Sequence, residues 1–111
     1  MALSRPSIGQ RRLRATLEEP VEIADALGGV IRSFQPRITL WVRLEPLHGD
    51  ERTEADRVGA PVSHRLSLRW RGDISEAMRF VAGGRLFDIR ASFDPDGRRR
   101  TLVCLVEERR P

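Results

Sequence analysis

Residues 78–107 read MRFVAGGRLFDIRASFDPDGRRRTLVCLVE, and this stretch decides the fold class. Its central run alternates apolar with mostly polar side chains, a period of two that is typical of a strand with one buried face. The alternation predicts one shared buried face for Phe87, Ile89, Ala91 and Phe93. Turn signals at residues 83–84 (GG) and 94–97 (DPDG) flank this run, and the apolar run at 101–106 can pair back antiparallel. The stretch therefore predicts three strands joined by two turns.

The same alternation begins at Arg11 and predicts a first strand with a polar outer face. We expect Pro20 to end or bend this strand, because proline cannot donate to a strand ladder. Residues 21–27 then predict a short helical turn or a loop, closed by the glycine pair at 28–29. Residues 30–34 predict a short strand or the end of the connection.

Two clearer strands follow, at residues 38–44 and from residue 63 to 71. Their predicted inward side chains are Ile38, Leu40, Val42, Leu44, Leu66, Leu68 and Trp70. Between them, residues 47–62 are rich in charge and lack a continuous apolar stripe, so any helix there would be marginal. A loop this long in a compact domain is uncommon unless it is functional or disordered.

These elements predict an all-β fold: a small, mostly antiparallel β-barrel or sandwich of about six strands, with one long loop and at most a short helix. The 111 residues suffice for one domain with a modest core. We expect residues 1–10 to form a flexible N-terminal arm and residues 11–111 to form the single domain.

The chain carries a formal net charge of +4 and no lysine, so all 20 basic residues are arginines. One interpretation is that most of these arginines pair with the 16 acidic residues or face solvent. The other is a surface that meets DNA or an acidic protein. The single cysteine, Cys104, excludes an intramolecular disulfide. No apolar stretch is long enough to span a membrane and no signal peptide is evident, so we expect a protein of the cytoplasm or of a particle assembled there.

No catalytic motif stands out. His48 and His64 flank the long loop and could bind a metal with Asp50 or Glu51, but two histidines without a defined spacing are a weak signal. A nucleophile elbow of the G-x-S-x-G type and a glycine-rich phosphate loop are both missing. The sequence therefore predicts neither an enzyme nor a cofactor or metal site.

Two charged segments are the candidate functional residues. The first is the long loop, with His48, Asp50, Glu51, Arg52, Glu54, Asp56 and Arg57. The second is the cluster Arg98, Arg99 and Arg100 beside the DPDG turn. These arginines could contact phosphates, or they could neutralise Asp94 and Asp96 and protect an edge strand from aggregation.

The order of these segments resembles the head-tail joining proteins of long-tailed bacteriophages and gene transfer agents, also called head-closure or stopper proteins. The matching segments are LRATLEEP at 13–20, WVRLEPLHG at 41–49, HRLSLRW at 64–70, and the C-terminal block from residue 78, which matches best. Together they extend from about residue 13 to residue 107.

This resemblance implies a structural protein that forms a ring of six or twelve subunits in the neck of the particle, assembled in the bacterial cytoplasm. The ring would lie between the portal and its adaptor on the head side and a tail-terminator or tail-tube ring on the tail side. Double-stranded DNA would pass through it without sequence-specific contacts, and residues 47–62 would project toward the channel or a neighbouring ring. Two alternatives stay open: a basic β-barrel that binds nucleic acid, and a tail-terminator ring protein.

Overall fold

The protein forms a closed, six-stranded β-barrel in a computed structural model that describes residues 11–50, 52 and 61–109. The strands are β1 (Arg11–Ala24), β2 (Val30–Pro46), β3 (His64–Arg69), β4 (Arg79–Ala82), β5 (Arg85–Phe93) and β6 (Thr101–Arg109). Around the barrel their order is β1-β2-β3-β6-β5-β4, and every neighbouring pair is antiparallel. The predicted all-β class and strand number are confirmed, whereas the predicted N-terminal arm lies outside the described residues.

The barrel interior is filled by one apolar cluster to which every strand contributes two or three buried side chains. Its members are Ala15, Leu17, Val42, Leu44, Leu66, Leu68, Phe80, Ala82, Phe87, Ile89, Leu102, Cys104 and Val106. The alternating positions of β2 and β3 therefore point inward as predicted, and Ile38, Leu40 and Trp70 pack partly buried against the same cluster. Such interior filling by alternate side chains is what a small barrel requires.

In the middle of β5, the alternating apolar side chains change from the inner to the outer face of the barrel wall. Its register against β6 shifts between Ile89 and Ala91, so Arg90 is an extra residue in the ladder. Because a bulge moves all following side chains to the opposite face, Ala91 packs in a small outer cluster and Phe93 is 45% exposed. The prediction of one shared buried face is correct for Phe87 and Ile89 and wrong for Ala91 and Phe93.

Strands β1 and β2 continue well past the barrel as a two-stranded ribbon. Beyond the pair of Glu18 with Arg79, β1 has β2 as its only partner strand among the described residues. We call residues 19–35 the arm. At about 3.3 Å per residue, its six-residue ladder reaches roughly 20 Å from the barrel. The molecule accordingly measures 62 Å along its longest axis and 28 Å across each of the other two.

The arm corrects two sequence expectations. Residues 21–27 are not a helical turn or a simple loop, because β1 runs to Ala24 and the chain turns only at residues 25–29. Pro20 does not end the strand; it pairs in register with Phe34. Both strands of a two-stranded ribbon are edge strands, where a residue without an N–H group is tolerated.

The carboxylate of Asp25 stabilises the turn of the arm. Oδ1 of Asp25 accepts hydrogen bonds from the backbone N–H groups of Leu27 and Gly29, each at 2.8 Å. Gly28 has a φ of 84°, and a Cβ added to Gly29 would lie 2.9 Å from the Asp25 carboxylate. The sequence D-x-L-G-G therefore determines the hairpin locally.

Among the described residues, helix occurs only in the long loop, where Gly49, Asp50 and Arg52 have helical backbone. This agrees with the expectation of at most a short helix. Among the described residues, none of the helical structure has the length and apolar character needed to cross a membrane.

The bulge in β5 predicts different costs for two chemically identical substitutions in one strand. Phe87→Ala removes a side chain that is 1% exposed and should lower the free energy of unfolding by about 3–5 kcal/mol. Phe93→Ala, beyond the bulge, should cost less than about 1 kcal/mol. Urea unfolding followed by tryptophan fluorescence measures both values, and equal losses would show that the strand lacks the bulge.

Candidate functional site

The two ends of the barrel present different segments. Because all strands are antiparallel, the described residues of the long loop (47–50, 52 and 61–63) and the β4–β5 turn at 83–84 lie at one end, which we call the loop end. The arm, residues 70–78 and residues 94–100 lie at the other, which we call the arm end. The two charged segments predicted from sequence, the long loop and Arg98–Arg100, are therefore separated by the length of the barrel.

The long loop is fixed to the barrel at both of its ends. Leu47 and Val62 are 4% and 1% exposed and pack with Leu105 in the outer cluster. The backbone N–H of Leu47 donates to the carbonyl of Ser63 at 3.0 Å, and that of Ser63 donates to Val106 at 2.9 Å. The loop thus leaves and rejoins the barrel at neighbouring points, held by burial and backbone hydrogen bonds.

The charged residues of the loop divide into two groups. His48, Asp50 and Arg52 are exposed at the start of the loop. Glu51, Glu54, Asp56 and Arg57 lie outside the residues whose side chains the structure describes. The charged loop residues that the structure describes are therefore exposed to solvent. The role of the loop as a channel or partner segment stays a prediction.

His64 belongs to the attachment of the loop. Its Nδ1 lies 2.8 Å from the Ser63 hydroxyl, which also accepts a 2.8 Å hydrogen bond from the backbone N–H of Glu108. The ring meets Phe87 edge-on, with the centroids 5.5 Å apart. Burial lowers the pKa of His64, outweighing the nearby Glu108 carboxylate, which raises it. His64 thus packs and hydrogen-bonds where the loop rejoins the barrel, and the described residues contain no group of three or more potential metal ligands.

The second predicted segment, residues 94–100, is a loop held by its own acids. Asp94 Oδ2 accepts from the backbone N–H of Arg99 at 2.7 Å, and Asp96 Oδ1 accepts from that of Arg98 at 2.9 Å. The Arg100 guanidinium pairs with Asp96 at 3.1 Å, while Arg98 and Arg99 are exposed. These contacts, with the Arg98 backbone N–H the strongest, lower the pKa of Asp96. One of the three arginines is therefore neutralised locally, and two face solvent.

Other arginines also pair with acids on the barrel surface, as one of the two interpretations of the composition expects. Elsewhere in the described chain, ion pairs with acids are made by Arg37, Arg71, Arg79, Arg85, Arg90 and Arg109. Exposed pairs of this kind contribute little to stability.

The base of the arm is braced against the barrel. Arg79 of β4 donates to Glu18 at 2.7 Å, and its guanidinium lies 3.9 Å from the centre of the Phe34 ring. Arg37 of β2 pairs at 3.1 Å with Asp73 in the loop between β3 and β4. These contacts set the direction in which the arm leaves the barrel.

The outer end of the arm exposes large apolar side chains, which the sequence analysis missed. They are Ile23 (53% exposed), Leu27 (96%), Val30 (63%) and Ile31 (55%), and we call these four residues the arm tip. The signal available in the sequence is the pair of short apolar runs around D-x-L-G-G, which match each other across the turn. Contiguous exposed apolar groups of this kind mark interaction sites.

A groove of about 930 Å³ is lined mainly by residues of β2 and β3, with side chains of both their inner and outer faces. Its apolar floor includes Trp41, which is 56% exposed, and the partly buried Trp70. Its walls carry four arginines: Arg12, Arg43, Arg69 and Arg71. The Arg12 guanidinium lies 5.3 Å from the centre of the Trp41 ring. The groove therefore combines two tryptophans with four arginines.

Comparisons with known proteins agree with this fold. A family model described as phage head completion protein matches residues 6–109. The solution structure of protein SF1141 from Shigella flexneri 2a is similar with a TM-score of 0.72 and 25% identity, covering 93% of this chain and 96% of that one. A chain in the virion of a native gene transfer agent particle is similar with a TM-score of 0.60 and 23% identity, covering 94% and 97%. No curated protein matches the chain.

The environment of His64 predicts a loss of stability in mild acid. Its folded-state pKa lies below the unfolded value of about 6.5, so protonation favours the unfolded chain. The stability contributed by neutral His64 is fully present above the pKa of His64 in the unfolded chain. It is lost as the pH falls through the lower pKa of His64 in the folded protein. His64→Gln should reduce the difference in free energy of unfolding between pH 7.5 and pH 5.5, whereas His48→Gln, at an exposed site, should retain it. Equal pH dependence in wild type and both variants would show that His64 is not held neutral.

Proposed function

The chain belongs to the phage head completion protein family, and on this premise we propose that it is a structural protein of the neck of a phage or phage-like particle. Copies of the chain would form a ring that joins the DNA-filled head to the tail. The observation that carries the proposal is the family match over nearly the whole length of the chain. The protein acts in this proposal as an assembly component, with no catalytic step.

The distribution of segments on the barrel supports a position between two other rings. The loop end presents the charged residues that follow Leu47, and the arm end presents the arm and residues 94–100. A subunit with distinct segments at opposite ends can contact one partner at each. We propose the portal-adaptor ring on the head side and a tail-terminator or tail-tube ring on the tail side as these partners.

The closed barrel is suited to serve as a rigid ring subunit. Its sheet closes on itself, so the barrel exposes no long unpaired edge that could join sheets of neighbouring copies indiscriminately. Copies would instead meet through side chains on different faces of the barrel. Heterologous contacts of this kind form a ring when the rotation between subunits closes, and we propose six or twelve subunits.

The long loop is the proposed channel element. Leu47 and Val62 fix both of its ends to the barrel, so changes to the sequence between them leave these attachments in place. Its sequence carries four acidic residues beside two arginines: Asp50, Glu51, Glu54, Asp56, Arg52 and Arg57. Since acidic groups repel the phosphate backbone, such a loop would let double-stranded DNA slide and would gate the channel without binding a specific sequence.

The similarity to a chain of a gene transfer agent virion supports a location in a phage-like particle as readily as one in an infectious phage. A chain of that virion has the same fold as this protein along almost all of both chains. The proposed location is therefore the neck of either kind of particle, assembled in the bacterial cytoplasm.

Removal of the protein tests the neck assignment. Deleting the gene from a producing strain should yield full or partly emptied heads separate from tails, because the joint between them is missing. Electron microscopy of purified particles counts the joined fraction, and a plasmid copy of the wild-type gene should restore it. Normal joined particles without the protein would contradict the proposal.

Shortening the loop tests the gate separately. Replacing residues 50–58 by three glycines keeps Leu47 and Val62 and should leave the barrel and the ring intact. The particles should then retain less DNase-protected DNA, because nothing obstructs the channel. A replacement of the same nine residues by a nine-residue Gly-Ser segment is the control for loop length. Full DNA retention in the shortened variant would remove the loop from gating while leaving the neck assignment in place.

A further inference from the structure

From the arm tip and the groove we infer that neighbouring copies of this chain join head to tail, with the arm tip of one copy seated in the arginine-rimmed groove of the next. The inference rests on the proposed function, since it supplies the contact by which copies would form a ring. It adds the two surfaces involved and the residues that form them.

The first argument is that the apolar side chains of the arm tip would remain exposed to water if the protein were a monomer. An isolated two-stranded ribbon is marginally stable in water, and this one has no third strand to cover it. Ile23 and Ile31 pair across one face of the ribbon, and Val30 lies on the opposite face beside Ala24. Leu27 is at the end. Apolar side chains therefore lie on both faces and at the end of the tip, an arrangement that would be buried by insertion into a groove better than by contact with a flat surface.

The second argument is that the tip cannot fill the groove of its own chain. The arm leaves the barrel from its arm end, and Arg79 and Arg37 hold its base through Glu18, Phe34 and Asp73. The groove lies on the side wall formed by β2 and β3. A ribbon that projects roughly 20 Å from the barrel at about 3.3 Å per residue would have to fold back sharply to reach it. The occupant of the groove must then come from another molecule.

The third argument is charge complementarity. Residues 19–31 contain three acidic residues and no basic one, and Arg32 is the sole basic residue of the arm. The groove lining instead carries Arg12, Arg43, Arg69 and Arg71, of which Arg71 pairs with Asp73, and Glu45 is its acidic member. A negative apolar tip and a positive apolar groove occur on the same chain, although the chain as a whole is basic. Opposite potentials on two faces of one subunit favour a second copy as the partner and fix the order of the contact.

The geometry of this contact leads to a ring and disfavours a symmetric dimer. The tip and the groove are different surfaces, so each copy uses one of each, and both remain available at the ends of any open chain of subunits. Closure removes the free ends. Aromatic side chains with arginine at the rim, here Trp41 beside Arg12, are also the residue types most often found to dominate binding energy at protein interfaces.

Self-association of the purified protein tests the tip. Leu27→Asp places a carboxylate at a side chain that is 96% exposed, so the fold should be unaffected, and thermal unfolding confirms this. The association constant, measured by analytical ultracentrifugation, should fall on the order of thirtyfold or more, as when a central apolar anchor is lost. Phe93→Asp makes the same kind of change at an exposed apolar residue outside both surfaces and should have little effect. Unchanged association of Leu27→Asp would overturn the inference.

Disulfide trapping tests the partner surface. Leu27→Cys and Ser67→Cys place thiols on the tip and in the groove, while the native Cys104 is buried in the barrel. A mixture of the two variants under mild oxidation should give a cross-linked dimer that neither variant gives alone. A dimer formed by Leu27→Cys alone would show a tip-to-tip contact and overturn the head-to-tail arrangement.

Particle assembly separates this inference from the proposed function. If Leu27→Asp abolishes both self-association and joining of heads to tails, both are supported. If it blocks joining but leaves self-association unchanged, the tip contacts a different particle protein and the inference fails while the neck assignment stands. If the Leu27→Cys and Ser67→Cys variants cross-link tip to groove but the wild-type protein is absent from particles, the contact is real and the neck assignment fails.

Discussion

The structure depends on the three residue pairs that join β1 to β4. Thr16, Leu17 and Glu18 face Val81, Phe80 and Arg79 in that ladder, and it closes the barrel. Leu17 and Phe80 are both fully buried at this seam, so the hydrogen bonds that close the sheet coincide with the best packed part of the core. Without this short ladder, β1 and β4 would be open edges and the interior would lose its wall.

The arm follows from the unequal lengths of the strands at that seam. β4 has four residues and β1 has fourteen, so β1 continues with β2 after its other neighbour has ended. The change occurs beside the register shift between Leu17 and Glu18, where Pro36 stands opposite Glu18. Arg79, the last partner of β1 in the ladder, also covers Phe34 at the start of the arm. The residue pair that ends the barrel therefore also orients the ribbon that leaves it.

The segments that we propose as contact sites lie on several surfaces of the barrel rather than in one pocket. The loop, the arm and the 94–100 loop each consist of residues that the core does not need, and each is fixed to the barrel by a few specific contacts. Asp25, Asp94 and Asp96 organise their turns through backbone N–H groups, so the shapes of these exposed segments are determined locally. This arrangement lets a small core of aliphatic residues and two phenylalanines support several contact surfaces at once.

The sequence alone determined the all-β fold class, the strands of the barrel wall and the turns at residues 83–84 and 94–97. Alternation at Val42 and Leu44, at Leu66 and Leu68, and at Phe87 and Ile89 correctly indicated the inward faces, because side chains in a strand alternate with a period of two. The family resemblance could also be read from the order of these segments, and the family match agrees with it. A charged loop between strands was evident from composition.

Tertiary structure decided where the alternation fails and which segments lie together. The bulge at Arg90 and the passage of β1 through Pro20 depend on partner strands that are distant in sequence, so no local pattern reveals them. The separation of the long loop from Arg98–Arg100 by the barrel, and the formation of a groove from Trp41, Trp70 and the arginines of three elements, require the closed strand order. Local sequence specifies the direction of side chains along a strand, whereas the neighbours of that strand are set only when the sheet closes.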